Sequence, residues 1–179
     1  MSNKIDTYKE WEKSGNILIN EDITVELATK VILSLRNQVS DNNIKSVSMY
    51  INSSGGDTAA MQMIIAQMER VAKIKPIYTH IGSYAYSAAA LIALVGTIRT
   101  SDRFTRILYH EVKSSNDYST QHDIGQTHKQ IIDLNKFGKE LIVKNTKLKK
   151  AEVDKYFDSK DIFISAKQAL KYNIIHHIL

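Results

Sequence analysis

The chain has 179 residues, 43% of them hydrophobic and 24% charged, which suits one soluble domain with a substantial core. It contains no cysteine, which excludes disulfides, thiolate metal sites and a cysteine nucleophile. The net charge of +5 permits nucleic-acid contact, yet the nine lysines facing five acids between Lys129 and Lys160 lie mostly at helical spacing, without aromatics interleaved in a stacking pattern. A solvated helix face is their expected use, and nucleic acid is not an expected partner.

Residues 1–15 are polar, with Tyr8 and Trp11 as candidate anchors, and lack the apolar core of a secretory signal. Ile17-Leu18-Ile19 predicts a short strand. Val25, Ala28, Val31, Ile32 and Leu35 recur at helical spacing. After a loop at Asp41-Asn42-Asn43, Val47 to Ile51 predicts a buried strand ending in Asn52-Ser53-Ser54-Gly55-Gly56-Asp57. Paired glycines let a ligand approach the main chain, although taken alone they are better explained by an ordinary strand-to-helix turn. The next helix shows Met61, Ile64, Ile65, Met68 and Ala72 on one face, with Asp57 or Thr58 as its cap.

Pro76 precedes a strand from Ile77 to Ile81, and Gly82-Ser83-Tyr84-Ala85-Tyr86-Ser87 then leads into an apolar helix from Ala88 to Val95, closed by Gly96. That run is the longest apolar stretch and falls well short of the roughly 20 residues of a membrane helix. Thr97 to Thr100 and Arg106 to His110 predict two more strands. Lys113 to Thr120 is polar and loop-like, and a long helix is expected over about Asp123 to Asn145. A shorter helix covers Ala151 to Phe157, and Asp158 to Ile164 returns to the body. Ser165 and Gln168 form a capping-box pattern opening a helix, Asn173 suits its C-terminal cap, and Ile174 to Leu179 is strand-like. Strand and helix alternate, which predicts an α/β fold of repeated βαβ units around a largely parallel sheet. No Gly-x-x-x-x-Gly-Lys stretch appears, so no P-loop nucleotide site is expected.

A serine between a strand end and a helix start can expose its hydroxyl while the following N–H groups face an incoming oxyanion. Ser87 is therefore a candidate nucleophile; taken alone, it is more readily a helix N-cap. Gly55-Gly56 and the N–H after Ser87 stand at the ends of successive strands, which in an open α/β sheet face one crevice. His110, at the end of a later strand, can reach the same crevice.

At these residues the chain resembles the proteolytic subunit of the Clp protease, ClpP, a family with a strand ending in Ile-Asn-Ser-Pro-Gly-Gly, a glycine- and alanine-bearing approach to a serine before a helix, and a strand-end histidine. The corresponding stretches here are Ile51-Asn52-Ser53-Ser54-Gly55-Gly56, Gly82 to Ser87, Arg106 to His110, and Lys160-Asp161-Ile162-Phe163-Ile164-Ser165-Ala166. The resemblance implies Ser87 as nucleophile, His110 as general base and Asp161 as the carboxylate that orients the imidazole. It implies the backbone N–H groups of Gly56 and Ala88 as the oxyanion hole. No metal and no cofactor are expected, and none of His80, His122, His128, His176 or His177 is assigned to a metal.

The resemblance further implies a single domain over residues 1–179, a ClpP/crotonase-like spiral of βαβ units, and a protruding strand-and-helix handle over about residues 111–145. It implies a heptameric ring, stacked as a tetradecamer in the family, an AAA+ unfoldase partner, unfolded protein or short peptides as substrate, and a cytoplasmic setting without membrane contact. The chain departs from the pattern at Ser54, where proline is usual; at Ala88-Ala89 after the serine; and at Glu111-Val112, where Gln-Pro is usual. The handle loop Lys113 to Asp117 lacks the usual glycines, and the segment before Ile17 is short, which predicts reduced axial loops. Two alternatives follow from these departures: a specialised maturation protease of the same fold, such as a phage enzyme, and a non-catalytic ring subunit. A histidine base predicts activity rising through roughly pH 6 to 7.5.

Overall fold

The computed structural model describes residues 10–113, 121–157 and 161–179. Tyr8, most of the polar loop from Lys113 to Thr120, the side chain of His122, and residues 158–160 of the return segment lie outside the described residues.

The elements alternate as expected: β1 (Asn16–Ile19), α1 (Val25–Ser40), β2 (Val47–Ser53), α2 (Thr58–Val71), β3 (Ile77–Tyr86), α3 (Ala88–Leu94), β4 (Ile98–Ser101), β5 (Arg106–Tyr109), α4 (Gln121–Asn145), α5 (Lys150–Phe157), β6 (Ile162–Ser165), α6 (Ala166–Lys171) and β7 (His177–Ile178). The sheet runs β1-β2-β3-β4-β7, all parallel. The fold is thus α/β with a mostly parallel sheet. Among the described residues, only the β5–β6 pair is antiparallel, with Tyr109 opposite Ile162 and Arg106 opposite Ser165.

The helices form where the sequence places apolar stripes. On α1, Leu27, Ala28, Val31 and Leu35 are buried, and the Thr24 side chain caps its start by accepting from the Leu27 N–H at 3.1 Å. On α2, Met61, Ile64, Ile65 and Met68 face the core, and Asp57 is the cap, accepting from the Ala60 N–H at 2.7 Å. The capping box at Ser165 and Gln168 is present, and Asn173 takes the left-handed conformation at φ 59°.

Strand β3 departs from the expected Ile77–Ile81 by running on to Tyr86. Its first half, Tyr78 to Ile81, pairs with β4; its second half, Tyr84 to Tyr86, pairs with β5. One strand therefore has two successive neighbours on the same side, and the sheet changes partner just before Ser87. On the β2 side the register shifts: Ile51 faces Ile81, but Ser53 faces Ala85. The extra length of β3 bulges out, and Asn52 fills the gap, its Oδ1 accepting from the N–H groups of Ser83 (3.0 Å) and Tyr84 (3.3 Å).

The C-terminal strand is shorter than expected. Ile174 and Ile175 are buried core residues, but their backbone follows α6 in turns, with both N–H groups bonded to Ala169 O. Pairing with β4 begins only at His177. Among the described residues, no helix is long and apolar enough to cross a membrane.

Candidate active site

Ser87 stands between β3 and α3 with φ 53° and ψ −124°. These are the angles of the first central residue of a type II′ turn, which glycine normally supplies; a side-chain-bearing residue there costs about 1–3 kcal/mol. The surroundings hold it. The Ser87 N–H donates to Leu108 O at 2.8 Å, and Ser87 O accepts from Ala90 and Leu91 N–H at 3.1 and 3.3 Å. The serine occupies the N-cap position, yet its side chain makes no capping bond. The hydroxyl is thus not spent on the helix.

Helix α3 follows at once, and its alanines explain how it can. Ala88, Ala89, Ala90, Ile92, Ala93 and Leu94 are all buried, so the helix is enclosed on every side, and small residues let the neighbouring backbones close in. Its first N–H groups lack an intrahelical acceptor by construction.

Gly55 and Gly56 approach from the end of β2. Gly55 has φ 102°, and a Cβ there would stand 2.7 Å from Tyr86 O, 2.8 Å from Ser87 Cβ and 3.1 Å from Ala88 N. The glycine pair therefore abuts the serine itself. Gly56, at φ 143°, leaves no room for a Cβ against the Ile23 backbone. Ile23 bridges the pair by donating to Gly55 O and accepting from Asp57 N–H, both at 2.7 Å, which leaves the Gly56 N–H out of the bridge. Ser53 Oγ donates to Glu21 O at 2.7 Å, and Ser54 Oγ bonds Asp22 Oδ1 at 2.6 Å, so hydroxyls sew this turn to the preceding one.

His110 is the first residue beyond β5, not the last within it as the sequence suggests, because the ladder to β6 stops at Tyr109. Ser87 and His110 line one cavity of about 30 Å³, together with Thr58, Met61, Leu91 and Phe157 among others. That is room for one or two waters. Burial holds the His110 pKa below the usual histidine value, and the Lys113 charge adds to this; Asp161 pulls weakly the other way. The neutral ring is favoured, as a general base requires. Its Nδ1 is buried and, among the described residues, has no hydrogen-bond partner.

Asp161 lies near enough to act on His110 electrostatically, but its carboxylate faces Lys113 Nζ at 3.8 Å. The two side chains are 48% and 71% exposed. The structure thus brings Ser87, His110 and the glycine turn together, and leaves Asp161 at the rim, paired with lysine. Among the described residues, no group of three His, Asp or Glu side chains is arranged to hold a metal ion.

Two residues of the site escape sequence reasoning. Asn52 holds the bulge that leads to Ser87, and nothing in the Ile51 to Gly56 stretch gives its side chain that task. Asn135, on α4, accepts from the Val112 N–H at 2.8 Å through Oδ1, and nothing in a polar helix face marks it.

The family model described as Clp protease matches residues 1–179. Two curated relatives from Tropheryma whipplei are similar along nearly the whole chain: ATP-dependent Clp protease proteolytic subunit 1 of strain Twist and proteolytic subunit 2 of strain TW08/27. Each is 29% identical over 180 residues, covering 98% of this chain and 85% of the relative.

Proposed function

The chain belongs to the Clp protease family, and from that premise we propose that it is a serine endopeptidase subunit of a ring, hydrolysing unfolded chains or short peptides with Ser87, His110 and Asp161. The observation that carries the reading is the backbone of Ser87: a strained, positive-φ serine whose hydroxyl caps nothing and which lines one cavity with a neutral-favoured histidine.

In this reading Ser87 Oγ attacks the scissile carbonyl carbon while His110 takes its proton. The oxyanion accepts hydrogen bonds from the N–H groups of Gly56 and Ala88, each such donor being worth about 10²–10³ in rate. His110 passes its proton to the leaving amine, and water then releases the acyl group by the same steps. His110 Nδ1, which has no hydrogen-bond partner among the described residues, is the atom for which Asp161 is the natural acceptor, once Asp161 leaves Lys113. The family membership supports assembly as a heptameric ring, stacked as a tetradecamer, supplied by an AAA+ unfoldase in the cytoplasm. Native mass spectrometry reads the ring number directly.

A second reading, a non-catalytic ring subunit, draws on the Lys113–Asp161 pair, which leaves the histidine without its orienting carboxylate. Intact-mass detection of a fluorophosphonate adduct separates the two. One adduct on the wild-type protein and none on Ser87→Ala supports the peptidase. An adduct that survives in Ser87→Ala, or no adduct on either protein, sinks it.

A further inference from the structure

We propose that Asn135 is a positioning residue that sets where His110 sits relative to Ser87. The inference rests on the peptidase reading and extends it to a side chain on α4.

The chain around His110 is held differently on its two sides. On the N-terminal side the β5 ladder fixes the backbone up to Tyr109, through pairing with β6 and, at Leu108, through the bond from Ser87 N–H. On the C-terminal side, residues 110–113 belong to no strand or helix. The Val112 N–H, two residues beyond the base, donates to Asn135 Oδ1 at 2.8 Å, across 23 residues of sequence. Only the oxygen of an asparagine amide can accept from an N–H, so this bond fixes the orientation of the Asn135 side chain as well.

Asn135 is itself placed by the helix that follows the nucleophile. Gly138 lies three residues on, on the same face of α4, and a Cβ there would sit 3.4 Å from Leu91 Cδ1 and 3.4 Å from Phe157 Cζ. The bare glycine lets α4 lie close to α3, and Leu91 is bonded through its N–H to Ser87 O. A closed circuit results: Ser87 to Leu91 along α3, Leu91 to Gly138 by packing, Gly138 to Asn135 along α4, and Asn135 through Val112 back to His110. Asn135, Gly138, Leu91, Ser87 and His110 all line the same cavity. Cutting the Asn135–Val112 bond opens the circuit at the link that a side-chain hydrogen bond makes. A shift of about 1 Å in the base is enough to cost about 10²-fold in rate.

The test compares Asn135→Leu, which keeps the shape and removes the acceptor, with Asn135→Asp, whose carboxylate oxygen can take the same N–H. Turnover of a fluorogenic peptide and the rate of fluorophosphonate labelling are measured on the assembled protein. The expected result is a fall of about 10²-fold in kcat and in labelling rate for the leucine variant with KM little changed, and recovery of most of that loss in the aspartate variant. Wild-type rates in Asn135→Leu, a loss confined to KM, or an aspartate variant as damaged as the leucine one overturns the proposal. Should the leucine variant not fold, amide exchange at Val112 of the wild-type protein decides: slow exchange supports the bond, and exchange at the unprotected rate overturns it. A wild-type protein that takes no fluorophosphonate removes the peptidase reading and this proposal with it, an outcome distinct from a labelled wild type with an indifferent Asn135.

Discussion

The Ser87 N–H donates to Leu108 O at 2.8 Å, so the candidate nucleophile is tied directly to the strand that ends one residue before the candidate base, His110. That bond helps hold Ser87 at φ 53° and ψ −124°. Glycine takes those angles without the Cβ penalty, so Ser87→Gly should be more stable than Ser87→Ala by about 1 kcal/mol, although both lack the hydroxyl. Strain kept at a functional position and relieved only at the expense of function is the expected pattern. Chemical denaturation of the two variants side by side measures the difference; an alanine variant at least as stable as the glycine one means the serine backbone is not strained.

Gly55→Ala should damage both the fold and the site. The new methyl would stand 2.8 Å from Ser87 Cβ and 2.7 Å from Tyr86 O, at a φ of 102° that side chains avoid. Something must move, and the nearest movable parts are the strand end and the Ser87 side chain. A destabilisation of about 1–3 kcal/mol is expected, together with loss of fluorophosphonate labelling. Wild-type labelling in a folded Gly55→Ala protein would show that the glycine turn does not shape the site.

The acid limb of activity should lie below the ordinary histidine value of about 6.5. Burial is the main cause and the Lys113 charge the second. Lys113→Ala removes the second cause and frees Asp161, whose charge favours the protonated ring. The limb in kcat/KM should therefore move to higher pH. The sign for stability is the same for His110 and His176, both depressed chiefly by burial. A pKa lower in the folded than in the unfolded state means that the unfolded chain binds more protons. The stability these groups contribute is present above about pH 6.5 and is lost as pH falls through their folded values. A pH–rate profile unmoved by Lys113→Ala would argue against His110 as the base.

Much of this could be read from residue order, and the failures have physical causes. Val31 with Leu35 and Ile64 with Met68 announced their helices because burial on one face imposes the helical period. Asp57, Ser165 and Asn173 were legible because capping is local chemistry. The length of β3 was not, since Gly82-Ser83-Tyr84 is loop-like in composition and is held in the sheet by a side chain about 30 residues away, Asn52. The last strand shrank because Ile174 and Ile175 are apolar for burial rather than for pairing. The Lys113–Asp161 pair depends on how two distant segments meet, which no pattern in either segment encodes.

The cavity beside Ser87 is bounded by a large side chain set against a missing one. Phe157, at the end of α5, is buried, and its ring lies against the space left by Gly138, with Lys139 Nζ 5.5 Å from the ring centroid. Together the two residues leave only about 30 Å³ next to the serine. If the side chain preceding the scissile bond enters here, the resting site admits small residues, and Phe157 is what limits it. Phe157→Ala should cost about 3–5 kcal/mol, because it removes a buried ring and leaves a void. In the protein that still folds, cleavage should shift from peptides with a small residue before the scissile bond toward those with leucine or phenylalanine. One methylene more or less in a hydrophobic pocket changes such preferences by about 10–200-fold. A competition assay over a peptide library, read by mass spectrometry, gives the ratio for wild type and variant. Loss of activity without a shift in preference would mean that Phe157 supports the fold alone and that the substrate side chain lies elsewhere.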